Sequence, residues 1–181
     1  MADDPPRSVH KGDYLARIAR FCQNLAIIVG VFAAVVTFLA SEHDKRVQNV
    51  LSLRSEFAGG VYKDYLKLMS DWDNFPDADA IGHATEAQQK KIVAAFFGKN
   101  ENKDRLLSIA DFYDTLSACI GQGACDRNTA IYLFQNAANQ VFQISGYRVE
   151  QVRDEDGDPN FAKGLESMYR LEEQNFLLGY F

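Results

Sequence analysis

Residues 25–40 read LAIIVGVFAAVVTFLA, a run without a single charge, and it limits what the chain can fold into more than any other feature. Ten of its residues are Leu, Ile, Val or Phe. Each is worth about 0.3–0.6 kcal/mol in a helix at the centre of a bilayer, so insertion gains roughly 3–6 kcal/mol before the flanks are counted. Extended to residues 21–41, the segment makes a helix of about 31 Å, which matches a hydrocarbon core about 30 Å thick. The run predicts one transmembrane helix. Two other uses fit less well. A core helix in so small a domain keeps a polar face, and only Thr37 and Gly30 relieve this one. A cleaved secretory signal needs small residues at −3 and −1 of the cut. Ala40 would serve at −1, but Phe38 is bulky at −3 and the region before it is long.

What remains suits one further domain of ordinary size. The expected organisation is a tail and helix start over 1–20, the span over 21–41, a stalk helix over 42–72 and a helical domain over 73–181. The net charge is −6. Arg7, Lys11, Arg17 and Arg20 outnumber Asp3, Asp4 and Asp13, so the acid excess falls on the part after the span. An acidic domain without a basic stripe cannot neutralise many phosphates, so nucleic acid is not an expected partner.

Orientation rests on two weak signals that agree. Four Lys or Arg residues precede the span, against Lys45, Arg46 and Arg54 just after it, a slight bias towards a cytoplasmic N-terminus. Cys119 and Cys125 bracket Ile-Gly-Gln-Gly-Ala, a turn that could bring the two sulfurs within bonding range. A bridge there would stabilise by roughly 2 kcal/mol on the chain-entropy model and would persist in an oxidising compartment. The alternative is two unpaired small residues at helix ends. Cys22, at the membrane edge, reads as a small apolar filler.

After the span, Val47, Val50, Leu51, Phe57, Val61, Tyr65, Leu66 and Met69 recur at helical spacing. Gly59-Gly60 is expected to kink or break this helix, and turn formers from Asp73 to Asp77 end it. Thr85 caps a second helix whose buried face is Ile92, Val93, Phe96 and Phe97, and Gly98 and the polar run 99–102 stop it. A third helix runs through Leu106, Ile109, Tyr113 and Leu116 to Ile120. Asp126 caps a fourth, which Gly146 is expected to end. A shorter helix follows to Arg153, then an acidic loop over 154–159, then a last helix over 160–173. The apolar end 175–181 either tucks back into the domain or docks elsewhere. No stretch alternates apolar and polar residues as a strand would.

Catalytic patterns are absent from the sequence. His10, His43 and His83 lie apart from any candidate nucleophile, and no nucleophile elbow, zinc-protease pair or phosphate loop occurs. Cys119 and Cys125 lack the spacing of zinc ribbons and thioredoxin-like sites. Asp154, Asp156 and Asp158 alternate as in a calcium loop, but Gly157 sits at the fourth place and Leu165 where the bidentate Glu belongs. A solvated turn with Asp158 capping the last helix is the expected use. The acids Asp71, Asp73, Asp77 and Asp79 read likewise as a solvated loop. No catalytic residue, cofactor or metal ligand is assigned.

The segment from Leu106 to Tyr113, the Gly-bearing turn with Asp126, the aromatic-rich helix after it, and Gly157-Asp158-Pro159-Asn160-Phe161 before Tyr169 resemble the helical domain of bacterial single-pass proteins grouped as domain of unknown function 4760. The resemblance covers roughly residues 21–173. It implies an all-helical domain behind a span in a bacterial membrane, and no activity.

The expectation is an all-α chain: one N-terminal transmembrane helix continuing into a stalk, plus a bundle of four to five helices. The expected role is a non-catalytic accessory or scaffold subunit in the bacterial cytoplasmic membrane, with its C-terminal domain periplasmic. Its partners would be the lipid bilayer and an integral membrane protein or a second copy. Gly30, Ala33 and Ala34 would form the face on which another transmembrane helix approaches. The alternative is a membrane-tethered domain sensing a ligand or metal, with Tyr62, Tyr65, Trp72, Phe96 and Phe97 lining its pocket.

Overall fold

The computed structural model describes residues 11–178, with side chains described for residues 20–21 and 23–171. His10 lies outside the described residues, as do the side chains of Cys22 and of the apolar end 175–181. Six α-helices and no strand occur among the described residues: α1 (Lys11–Glu56), α2 (Tyr62–Asp73), α3 (Glu86–Phe96), α4 (Asn100–Gly121), α5 (Arg127–Asp156) and α6 (Lys163–Leu178). The chain divides into two compact units, Met1–Asp44 and Lys45–Phe181.

The second unit is a helical bundle in which α4 packs against α2, α5 and α6, and α3 packs on α5. Its core holds two groups of rings. Phe57, Phe112 and Phe134 meet with centroids 4.9–5.5 Å apart. Trp72, Phe75, Phe96 and Phe97 form the other, with Trp72 edge-on to Phe96 at 5.0 Å and Phe97 edge-on to it at 4.9 Å. Such tilted and edge-on pairs add about 0.5–1.5 kcal/mol each beyond the area they bury. Val50, Phe57, Leu68 and Trp72 are buried. Of the stalk expected over 42–72, residues 45–72 lie within this unit and supply part of its core.

Gly59-Gly60 neither breaks the helix nor leaves it regular. Residues Phe57–Val61 form a π turn, closed by the Tyr62 N–H donating to the Phe57 carbonyl five residues back. The wider turn turns Phe57 inward onto Phe112 and Phe134. Such bulges insert one residue into a helix without ending it.

Local caps fall where the sequence places them. The Gln88 side chain accepts from the Thr85 N–H at 2.9 Å, opening α3, and Asp126 accepts from the Thr129 N–H at 2.8 Å, opening α5. Four expectations need correction, the first being the acidic loop over 154–159, which starts only at Gly157 because α5 continues through Asp156. Gly146 does not end a helix: α5 runs through it for 30 residues, with Phe142 in ordinary contact and the Ser145 hydroxyl returned to the Val141 carbonyl. Tertiary packing outweighs the roughly 1 kcal/mol that a mid-helix glycine costs. The polar run 99–102 is not a free turn, because α4 begins at Asn100 and the buried Asn102 amide donates to the Phe96 carbonyl, closing the end of α3. The last helix starts at Lys163, not near residue 160.

Asp158 holds the turn before α6, accepting from the Asn160 N–H. The acceptor at the N-terminus of α6 is Asp114 of α4, which takes the Gly164 N–H at 2.5 Å. Gly157 ends α5 in the left-handed region at φ 66°, a conformation glycine adopts without steric cost.

Candidate functional site

In the first unit the apolar run forms helix throughout. Every Leu, Ile, Val and Phe from Phe21 to Leu39 is at least half exposed. The helical stretch Gln23–Asp73 is long and apolar enough to cross a membrane, and none of its most apolar window is buried. A core helix of a soluble domain would show the reverse. Thr37 returns its hydroxyl to the Ala33 carbonyl at 2.9 Å, so the run's one hydroxyl is satisfied within the helix, as a hydrocarbon environment requires. Gly30, Ala33 and Ala34 are exposed at i, i+3 and i+4, and a Cβ built on Gly30 meets nothing within 4 Å. That spacing puts the three on one face, where a second helix can approach closely.

Cys119 and Cys125 are joined by a disulfide with Cα atoms 5.2 Å apart. Gly123, at φ 70°, turns the chain back between them. This loop also grips the second unit's own part of α1. The Asp126 N–H donates to the Arg46 carbonyl at 3.2 Å, and the Asn49 amide donates to the Ala124 carbonyl at 2.8 Å. Val50, the residue after Asn49, is fully buried.

Three large apolar side chains of the second unit stay open to solvent near its start: Leu51 on α1, and Tyr62 and Leu66 one turn apart on α2. Of the aromatic set expected to line a pocket, Tyr62 is exposed and the others are spent on packing. Trp72, Phe96 and Phe97 are core, and Tyr65 donates its hydroxyl to the Gln140 carbonyl oxygen at 2.8 Å.

The acidic segments do not converge. Asp71 is ion-paired with Arg105. Among the described residues no group of three or more His, Cys, Asp or Glu side chains is placed to hold a metal ion. Two open grooves border α3. One, of about 400 Å³, lies between α3 and α5, and the other, of about 470 Å³, is lined by His83, Asp77 and Lys91 among others. The first was not read from the sequence, because its walls come from residues some 60 positions apart and no local pattern links them.

Two carboxylates in the bundle are displaced in opposite directions. Burial raises the Asp114 carboxyl above its usual range, with the Gly164 N–H opposing. Burial also pushes Glu166 upward, but hydrogen bonds from Arg153 and Arg170 outweigh it and hold the carboxyl below its usual range. Both groups link helices, Asp114 joining α4 to α6 and Glu166 joining α6 to Arg153 of α5 at 2.9 Å.

Compared with known proteins, residues 24–171 match one family model, described as Domain of unknown function (DUF4760). No curated protein and no solved structure matches the chain.

Proposed function

The chain belongs to that family of unknown function, DUF4760, and from this premise we propose that it is a membrane-anchored, non-catalytic accessory or scaffold subunit. The span and the exposed faces of the bundle would bind an integral membrane partner or a second copy. The observation that carries this reading is the helix over residues 21–39, whose large apolar side chains all face outward. In water, that surface would cost roughly what the bilayer returns on insertion. Gly30, Ala33 and Ala34 on the span, and Leu51, Tyr62 and Leu66 on the bundle, are the surfaces offered to a partner.

The proposed location is the bacterial cytoplasmic membrane, with the bundle on the periplasmic side. The Cys119–Cys125 bridge supports that side, because such bonds persist where the medium is oxidising. The slight excess of Lys and Arg ahead of the span points the same way.

The test is purification of the full chain from its own membranes in mild detergent. Co-elution with a stoichiometric membrane subunit, or as a defined homo-oligomer, is expected, and Gly30→Leu should weaken it. A detergent-bound monomer with no partner at any protein concentration would overturn the accessory role. Side is read separately by labelling thiols in unreduced cells. Cys119 and Cys125 should stay unlabelled until a reductant is added, and free thiols at both would place the bundle in the cytoplasm.

A further inference from the structure

The groove between α3 and α5 sets opposite charges on its two walls without joining them. Lys90 and Lys91 line it from α3, Glu150, Asp154 and Glu155 line it from α5, with Glu155 held by Arg148 and Gln151, and Ala94 and Tyr147 supply apolar surface. About 400 Å³ of space separates the walls, near the lower end of what small-molecule sites occupy. Charges of opposite sign facing across a gap normally close it with an ion pair. Here Lys90 turns along its own helix to Glu86 at 2.7 Å, and neither Lys91 nor Asp154 makes a hydrogen bond or ion pair among the described residues.

The remaining lining is organised. Tyr147, Glu150 and Asp154 stand at i, i+3 and i+7 of α5, so they share one face. The Tyr147 ring is pinned by its hydroxyl, which donates to the Gln89 side chain at 2.8 Å. The ring already draws a cation, with Lys90 Nζ 5.5 Å from its centroid. Ala94, exposed on the α3 wall, gives the groove an apolar floor.

We propose that this groove binds a small zwitterion with an apolar body, the chemistry of a free aliphatic amino acid. The ligand carboxylate lies at Lys91, its ammonium between Glu150 and Asp154, and its side chain on Ala94 and the Tyr147 ring. A simple anion meets three carboxylates there, and a simple cation leaves Lys91 unanswered. This assignment goes beyond the accessory role and stands apart from it, since ligand binding by the isolated protein does not require a membrane partner.

The experiment is calorimetric titration of the full chain in detergent with L-leucine, L-leucine amide, which lacks the carboxylate, and 4-methylpentanoate, which lacks the ammonium. Leucine should bind saturably, and each analogue about 1.5- to fivefold more weakly, the range set by one exposed charge contact. Lys91→Gln should weaken leucine by the same factor and leave leucine amide unchanged. Glu150→Gln with Asp154→Asn should weaken both. These exposed positions are substituted without loss of fold, which the thermal melt of each variant verifies. No saturable heat with leucine, equal binding of the two analogues and leucine, or indifference to the Lys91 and Glu150/Asp154 variants would each overturn the assignment.

Discussion

At the residue scale the junction of α4 with α6 is the tightest point in the bundle. A Cβ on Gly164 would stand 2.7 Å from the Asp114 Cα and closer still to the Tyr113 carbonyl. The backbones touch there, and only glycine lets the Asp114 carboxylate reach the Gly164 N–H. Gly164→Ala should therefore lower stability by about 1–3 kcal/mol, the usual cost of overpacking, read as an earlier denaturation midpoint in detergent. Glu166 and Asp114 make a second, pH-dependent test. Glu166 has its folded pKa below the unfolded value. Its contribution is present above the ordinary Glu range and is lost as pH falls through the folded pKa. Asp114 is raised, so its contribution has the opposite slope, present at low pH and lost as pH rises through the folded pKa. Glu166→Gln should flatten the acid side of a melting-temperature profile. Asp114→Asn, which keeps an acceptor for Gly164, should steepen it. Equal acid slopes in both variants and the parent would refute the assignment.

At the element scale, what the sequence foretold and what it did not divide along one physical line. Thr85 with Gln88, and Asp126 with Thr129, are caps closed within three residues, so the chain announces them locally. Gly146 sends the same local signal for a stop and is overruled, because α5 is held from outside by α3, α4 and α6. Gly164 looked unremarkable in sequence, and its role is set by a helix 50 residues away. The long apolar helix was legible because its signal is composition over a short window. The α3–α5 groove was not, because it exists only once residues 90–94 and 147–155 are brought together. Gly59 and Gly60 sit between these cases: they perturb the helix into a π turn, yet a Cβ on either meets nothing within 4 Å. Neither glycine is required by space or by a left-handed backbone, so Gly59→Ala and Gly60→Ala should each stabilise the bundle by about 0.5–1 kcal/mol, a later thermal midpoint. Destabilisation by both would mean that the turn needs glycine for a conformation other than this one.

At the scale of the whole molecule, the acidic composition and the apolar run ask for different solvents. A bundle with polar faces and buried rings is at home in water, whereas residues 21–39 present 11 large apolar side chains outward. Insertion is worth roughly 3–6 kcal/mol for the uncharged core of that run, and a single Asp at the centre of a spanning helix costs about 2.5–3.5 kcal/mol. One charge therefore removes about half or more of the driving force. Val31, 60 % exposed near the middle of the run, is the position where that cost is largest. Val31→Asp should move the protein from the membrane pellet into the supernatant after alkaline carbonate washing, while Leu51→Asp, outside the hydrocarbon, should leave it in the pellet. Retention of Val31→Asp with the parent would mean that the outward apolar surface is covered by protein and not by lipid. The Gly30, Ala33 and Ala34 face would then be the first place to look for the chain that covers it.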